Sequence, residues 1–288
     1  MRRVANVLLG VFAICAAGCE DRAPLAPAPA PRTPPPDAAK TARIHLEDMT
    51  WPEIRSAIDA GARSVIVPTA GTEQNGPHMV LGKHRHVVEF TSGEVARRRG
   101  KTLLAPTVVY TPEGSMSPPT GHMAFAGTVS LREETYAAVL TDIAASLRAH
   151  GFTRIYFLGD SGDSQATEAR VASQLDAEWS ANGTRVFALG DYYAVGNQRM
   201  SDALLADGET EATIGRHAGI RDTSELLQAH PAGVRTTLLA PNGGGESSTT
   251  GTVGDPTRAT KERGAAFLEL KINAALAQIQ ALERGAVR

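Results

Sequence analysis

The sequence predicts an α/β domain with a mostly parallel central sheet and helices on both faces. Three observations carry that expectation. Short apolar runs, rich in β-branched and aromatic residues, recur at Ser64–Pro68, Arg154–Leu158 and Arg185–Leu189. Amphipathic stretches at helical spacing separate them. Parallel neighbours need long crossovers, and a helix between successive strands is the usual one.

Taken in order, Trp51 to Ala60 reads as a helix, with Thr50 as its N-cap and Pro52 in the first turn. Ser64 to Pro68 is a buried strand. His86 to Arg98 reads as a helix and Thr102 to Tyr110 as a strand. Arg132 to His150 is an amphipathic helix, read as capped by Ser130 with Glu133 completing a capping box, and Gly151 closes it. Strand Arg154 to Leu158, helix Gln165 to Ala181 and strand Arg185 to Leu189 follow. Thr223 to Ala229 is a short helix, and Lys261 to Leu282 a long final one. The stretch from Gly190 to Arg221 is read as a loop.

Residues 1–43 stand apart from this domain, which is expected to occupy 44–288. Met1-Arg2-Arg3 is positive, and Val4 to Ala17 is apolar but too short to span a bilayer comfortably. The run ends in Ala16-Ala17-Gly18-Cys19, which resembles a bacterial lipobox with Ala16 where Leu is usual. Residues 1–18 are therefore expected to be a lipoprotein signal peptide and Cys19 the lipidated residue. Residues 19–43 then form a spacer: Ala23 to Ala42 reads APLAPAPAPRTPPPDAAKTA, too proline-dense for helix or sheet. The expected location is exported and lipid-anchored in the bacterial cell envelope, facing the periplasm. The two cysteines, Cys15 and Cys19, both precede the domain, so it holds no disulfide and no thiol ligand. With 29 Lys and Arg against 31 Asp and Glu, the chain has no basic footprint, and no nucleic-acid partner is expected.

In an open parallel sheet the ligand site lies beyond the carboxyl ends of the strands. The loops there concentrate polar chemistry. The first, GTEQNGPHMVLGKHRH, carries Glu73, Asn75, His78, His84 and His86. The third, LGDSGDSQ, places Asp160 and Asp163 directly after a buried strand. The fourth contains RHAGIRDTS, with His217 and Asp222. Carboxylates and imidazoles converging from several strand ends are the usual ligand types for a divalent ion.

Four segments carry a resemblance. GTEQNGPHMVLG resembles the creatininase-family segment G-S-x-E-Q-H-G-P-H-L-P-L-G-T-D. GHMAFAGTVSLREET is similar to its E-H-x-x-F-P-G-T-I-S-L-x-x-E-T, and RHAGIRDTS to its H-A-G-x-x-E-T-S. GTVGDPTRATKERG resembles its G-V-x-G-D-P-x-x-A-T-x-x-K-G. They occur in the family's order and cover Leu46 to about Leu282.

The resemblance implies a metal-dependent amidohydrolase acting on a C–N bond of a small molecule, with zinc or manganese as cofactor. It implies Glu73, His84, Asp160 and Asp222 as metal ligands and His217 as the catalytic acid/base. Asn75 and His122 fall on substrate-facing positions. The departures are specific. Asn75 replaces a ligand His, His84 replaces a bridging Asp, Asp160 replaces a His, Asp222 is one methylene shorter than Glu, and Gly121 stands where a Glu precedes His122. One ion rather than two is therefore expected. The family's habit of assembly makes a homo-oligomer an expected form. The alternative is a non-catalytic binding or scaffold module of the same fold at the membrane surface.

Other features have plainer readings. Gly159-Asp160-Ser161-Gly162-Asp163 lacks the second glycine of a nucleophile elbow, so Ser161 and Ser164 are expected to cap the following helix. Asn242 to Ser248 is read as a mobile lid, His86 as structural or solvated, and Trp51 and Trp179 as packing residues.

Overall fold

The computed structural model describes residues 43–241 and 245–285. The signal segment, Cys19 and the proline-rich spacer lie outside the described residues, as do 242–244 of the expected lid.

Strands β1 (Ser64–Thr69), β2 (Thr102–Leu104), β3 (Arg154–Gly159) and β4 (Arg185–Ala188) form one sheet in the order β2-β1-β3-β4. Every pairing is parallel. Side chains alternate across a strand, so a sheet buried on both faces reads as a continuous apolar run. Val65, Val67, Ile155 and Phe157 point to one face, against α1 (Trp51–Asp59), α3 (Glu133–Ala149) and α4 (Gln165–Trp179), through Ile58, Leu140 and Leu175. Ile66, Tyr156 and Leu158 point to the other. They pack against α2 (Lys83–Arg99), α5 (Gly190–Ala206) and α9 (Lys261–Gly285), through Val88, Tyr192 and Ile272. Each such side chain, fully buried, contributes about 1.5–3 kcal/mol. Short helices α6 (Glu211–Ile214), α7 (Ile220–Ala229) and α8 (Ser247–Thr250) complete the described α-helices, with α7 packed on α9 and α2. No described helix is long and apolar enough to cross a membrane.

Five expectations need correction. The segment Gly190 to Arg221 is mostly helical, since Tyr192, Gly196, Met200 and Leu204 recur every four residues and bury one face of α5. Helix α2 begins at Lys83, three residues early, which puts His84 and His86 in its first turn. Strand β2 stops at Leu104 because Pro106 interrupts it; Val108 then rejoins the sheet as a single bridge to Thr69. Ser130 does not cap α3: Arg132 holds the cap position, while Ser130 Oγ accepts from Glu113 N–H at 2.9 Å and donates to Gly114 O at 2.8 Å. Ser164 does hold the cap position of α4, but its Oγ donates to Ser161 O at 3.0 Å and makes no side-chain cap.

The strand order fixes where a site can form. From β1 the chain crosses to β2 on one side, then returns to place β3 on the other. The loops after β1 and β3 therefore diverge, and a crevice opens between them at this switch point. They carry Glu73 and Asp160.

Candidate active site

Glu73 lies in the loop after β1, 3% exposed, with its N–H donating to Leu81 O at 3.3 Å. Its carboxylate is approached by three histidines. His84 Nε2 lies 2.8 Å from Oε1, His122 Nε2 3.5 Å from Oε2, and His217 Nδ1 3.9 Å from Oε1. The His122 and His217 rings are tilted with centroids 4.5 Å apart. These groups share the wall of a cleft of about 270 Å³ with Ser161, Tyr193 and Arg216.

Gln74 sets the protonation of both outer histidines, through its backbone carbonyl for His217 and its side-chain amide for His122. His217 Nε2 lies 3.0 Å from Gln74 O, and a carbonyl only accepts, so Nε2 carries the hydrogen and Nδ1 presents its lone pair to the cleft. The Gln74 side chain is oriented by Gly76 N–H, which donates to Oε1 at 2.9 Å, and by Gly251 O, which accepts from Nε2 at 3.3 Å. That same Nε2 donates to His122 Nδ1 at 2.9 Å, so in neutral His122 the hydrogen sits on Nε2 and faces Glu73. Burial is the largest influence on His217 and lowers its pKa, against the pull of Asp222 and Glu73. At neutral pH it is an uncharged acceptor.

Behind Glu73 the contacts run inward without a gap. His84 donates from Nε2 to Glu73 and from Nδ1 to Asp160 Oδ2 at 2.9 Å. Both nitrogens face carboxylates, so the ring is an imidazolium. Burial and the Lys83 charge oppose that state, but the charge of Glu73 and the two hydrogen bonds lift its pKa to about 9. Burial alone would raise the pKa of Glu73; His84 beside it holds the carboxyl well below the usual range. Glu113, fully buried, is pushed up to about 9 by burial first and by the neighbouring Glu73 carboxylate second, so it carries a proton.

The deepest layer is ionic. Asp160 Oδ1 accepts from Lys271 Nζ at 2.6 Å and from Tyr192 Oη at 2.9 Å. Lys83 Nζ lies 2.7 Å from Asp222 Oδ1 and 3.6 Å from Glu225 Oε2, and Lys271 Nζ lies 2.8 Å from Glu225 Oε1. Asp222 also accepts from Ala218 N–H at 2.7 Å.

A family model described as creatininase, creatinine amidohydrolase, matches residues 47–279. The chain belongs to the creatininase family. Among curated relatives, it is 29% identical over 227 residues to a mycofactocin precursor peptide peptidase of Mycobacterium ulcerans, covering 75% of this chain and 79% of that protein. It is 25% identical over 198 residues to the creatinine amidohydrolase of Pseudomonas putida, covering 65% and 72%. Among solved structures, a creatininase superposes with a TM-score of 0.69 at 21% identity, covering 83% of this chain and 97% of that one. A manganese form of creatininase gives the same TM-score. Family members of these kinds are hydrolases acting on C–N bonds.

The creatininase family is metal-dependent. Among the described residues, Glu73, His122 and His217 each offer a ligand atom, all within 4.8 Å of one another. Their spacing fits one ion. Glu73 Oε2 and His217 Nδ1 are ready as donors, whereas His122 must first give up its Nε2 hydrogen. The sequence-derived set does not fit in the same way. His84 has no free nitrogen, Asp160 has its oxygens engaged by Lys271, Tyr192 and His84, and Asp222 is held by Lys83. Of that set Glu73 alone joins the cluster. His217, expected as acid/base, and His122, expected on substrate, come together beside it. Asn75 is fully buried and donates to Glu73 O at 3.0 Å, holding the loop instead of facing the cleft. His86 stacks on His230 at 3.9 Å, and Ser161 Oγ donates to Glu113 at 3.1 Å. Trp179 is buried, with the Arg148 guanidinium 4.7 Å over its ring, but Trp51 is 80% exposed.

Sequence reasoning missed Lys83, Lys271, Glu225, Gln74 and Glu113. The signal for Lys271 was present: a lysine interrupts the apolar stripe Phe267, Leu268, Ile272, Ala275 of α9. Asp222 and Glu225, three apart on α7, were the matching acidic pair.

Proposed function

We propose that this chain hydrolyses a C–N bond in the cleft bounded by Glu73, His122 and His217, on an amide or peptide-like small molecule in the cell envelope. The observation that supports this most is the pairing of opposite proton roles on adjacent rings. His217 Nδ1 is a lone pair and His122 Nε2 is an N–H, with an ionised carboxylate between them. In a hydrolysis, His217 takes the proton of the attacking water. His217, now an imidazolium, returns that proton to the departing nitrogen, while His122 donates a hydrogen bond from Nε2 to the reacting group. Glu73, kept ionised by His84, stabilises the positive charge that His217 acquires. Arg216 and Tyr193 on the cleft wall are the groups available to the substrate carbonyl or a carboxylate. An ion held by Glu73, His217 and His122 would occupy His217 Nδ1 and His122 Nε2, and in that state it, and not these two rings, would supply the acidification of water as a Lewis acid.

The cleft shares Asp163 with an open depression of about 860 Å³ lined by Gly114, Ser115, Arg132 and Glu133. A substrate reaching both exceeds the size of a single small ring, which favours a peptide end over creatinine. The lipobox-like Cys19 and the spacer after it support an anchored enzyme facing the periplasm.

A second reading, a binding module that turns nothing over, is favoured by one observation: the groups expected to hold metal are instead neutralised by lysine and histidine. The test is direct. The full chain, with zinc or manganese supplied, is incubated with panels of short peptides and cyclic amides, and products are read by mass spectrometry. A hydrolase gives products that fall about 100-fold to 10,000-fold with Glu73→Gln. Retained substrate-panel binding with no product under any metal establishes the module instead.

A further inference from the structure

Beneath the cleft lies a second cluster that the proposed chemistry does not use. The carboxylates of Asp160, Asp222 and Glu225 come from the loop after β3 and from α7. They converge on two ammonium groups, Lys83 from the first turn of α2 and Lys271 from α9. Lys83, Lys271, Asp160 and Glu225 are each no more than 1% exposed. Carboxylates gathered from separate elements at the carboxyl ends of parallel strands are the donor set that hard divalent cations select. Here the inward-facing oxygens meet ammonium or imidazolium: Asp160 Oδ1 meets Lys271, Asp160 Oδ2 meets His84, Asp222 Oδ1 meets Lys83, and Glu225 meets both lysines.

We propose that Lys83 and Lys271 are a built-in dication that occupies a divalent-cation site formed by Asp160, Asp222 and Glu225, so that this pocket takes no exchangeable metal. Charge balance supports it. Three carboxylates face two ammoniums and the His84 imidazolium, and an added divalent ion would leave the pocket strongly positive. Sterics support it independently. Gly196 on α5 abuts the Lys271 stem, and a Cβ there would sit 2.8 Å from Lys271 Cγ, so a glycine makes room for the buried lysine. Tyr192 closes the other side, with the Lys271 ammonium 5.1 Å over its ring. The lysines also keep their protons: burial is the largest influence and would strip them, yet the surrounding carboxylates raise both pKa values above the ordinary lysine range. The inference holds whether or not the cleft hydrolyses anything.

Manganese binding to the full chain tests it, counted by elemental analysis after dialysis in a His217→Ala background so that a cleft ion does not contribute. With both lysines present the pocket should bind none. Lys83→Ala or Lys271→Ala should gain one ion per chain, lost again on adding Asp160→Asn, and manganese should raise the urea midpoint of the lysine variant only. A pocket ion with both lysines in place, or a folded lysine variant that gains none, overturns the proposal. Should the variants not fold, the ammonium resonances of Lys83 and Lys271 in the ¹⁵N-labelled unsubstituted chain decide. They should persist through saturating zinc; their loss on zinc addition overturns it equally.

Discussion

The cleft and the ionic layer beneath it are built from the same residue types and behave as opposites. In the cleft, one carboxylate meets two half-buried histidines whose ring nitrogens differ in protonation, and the groups face open space. In the layer below, Asp160 and Glu225 are fully enclosed and meet fixed ammoniums, with proton positions locked by ion pairs on every side. His84 joins the two, donating outward to Glu73 and inward to Asp160. The contrast shows how a fold can keep a reactive carboxylate ionised: an internal cation layer supplies positive charge that cannot diffuse away. It also shows why identity at single ligand positions is a poor guide to where a metal binds. The same Asp is a ligand or a salt-bridge partner depending on what the neighbouring helix points at it.

The comparison can be broken in several places. The largest effect should fall on the cleft: His217→Gln lowers kcat by about 100-fold to 10,000-fold if the ring is the base, with fold and urea midpoint little changed. In the unsubstituted enzyme the rate should fall with acid through the His217 pKa, below the ordinary histidine value because of burial. A variant with full activity removes the acid–base pairing from the account.

In the layer below, the effect should be on stability. Lys271→Met leaves Asp160 and Glu225 without their nearest cation and should cost about 3–5 kcal/mol in urea unfolding, as broken buried pairs do. Adding Asp160→Asn should recover part of it, and additive losses would show that the two groups are not coupled.

His84 sharpens the join through pH. Its folded pKa is raised, to about 9, so its stabilisation is complete below the unfolded value near 6.5 and is lost as pH climbs through 9. Glu113, protonated in the fold up to about 9 but ionised when unfolded above about 4.5, acts in the same direction. The thermal midpoint should therefore decline between pH 6.5 and 9, and His84→Gln should flatten that decline. The smallest effect is Tyr192→Phe, which removes one hydroxyl donor to Asp160 and should cost about 1 kcal/mol.

Much of this was legible in the residues. Alternating strands and helices gave the parallel sheet, because apolar runs and 3.6-residue periodicity are local signals. Glu73 and His217 were readable as site residues because each sits in a family-like loop at a strand end. What escaped was decided by tertiary contact. His84 and Lys83 are neighbours in sequence, but only the early start of α2 aims one at Glu73 and the other at Asp222. Helix α5 was hidden by Gly190, Gly196 and Asn197, poor helix formers that packing overrides. Gln74 was passed over because its role, setting the hydrogens of His122 and His217, appears once both rings are placed beside it.

The most direct measurement is anomalous scattering from crystals of the full chain soaked in zinc. The account predicts one peak, about 2.0–2.2 Å from Glu73, His122 and His217 donor atoms, and none among Asp160, Asp222 and Glu225. A peak beside Asp160, or two adjacent peaks bridged through His84, contradicts it.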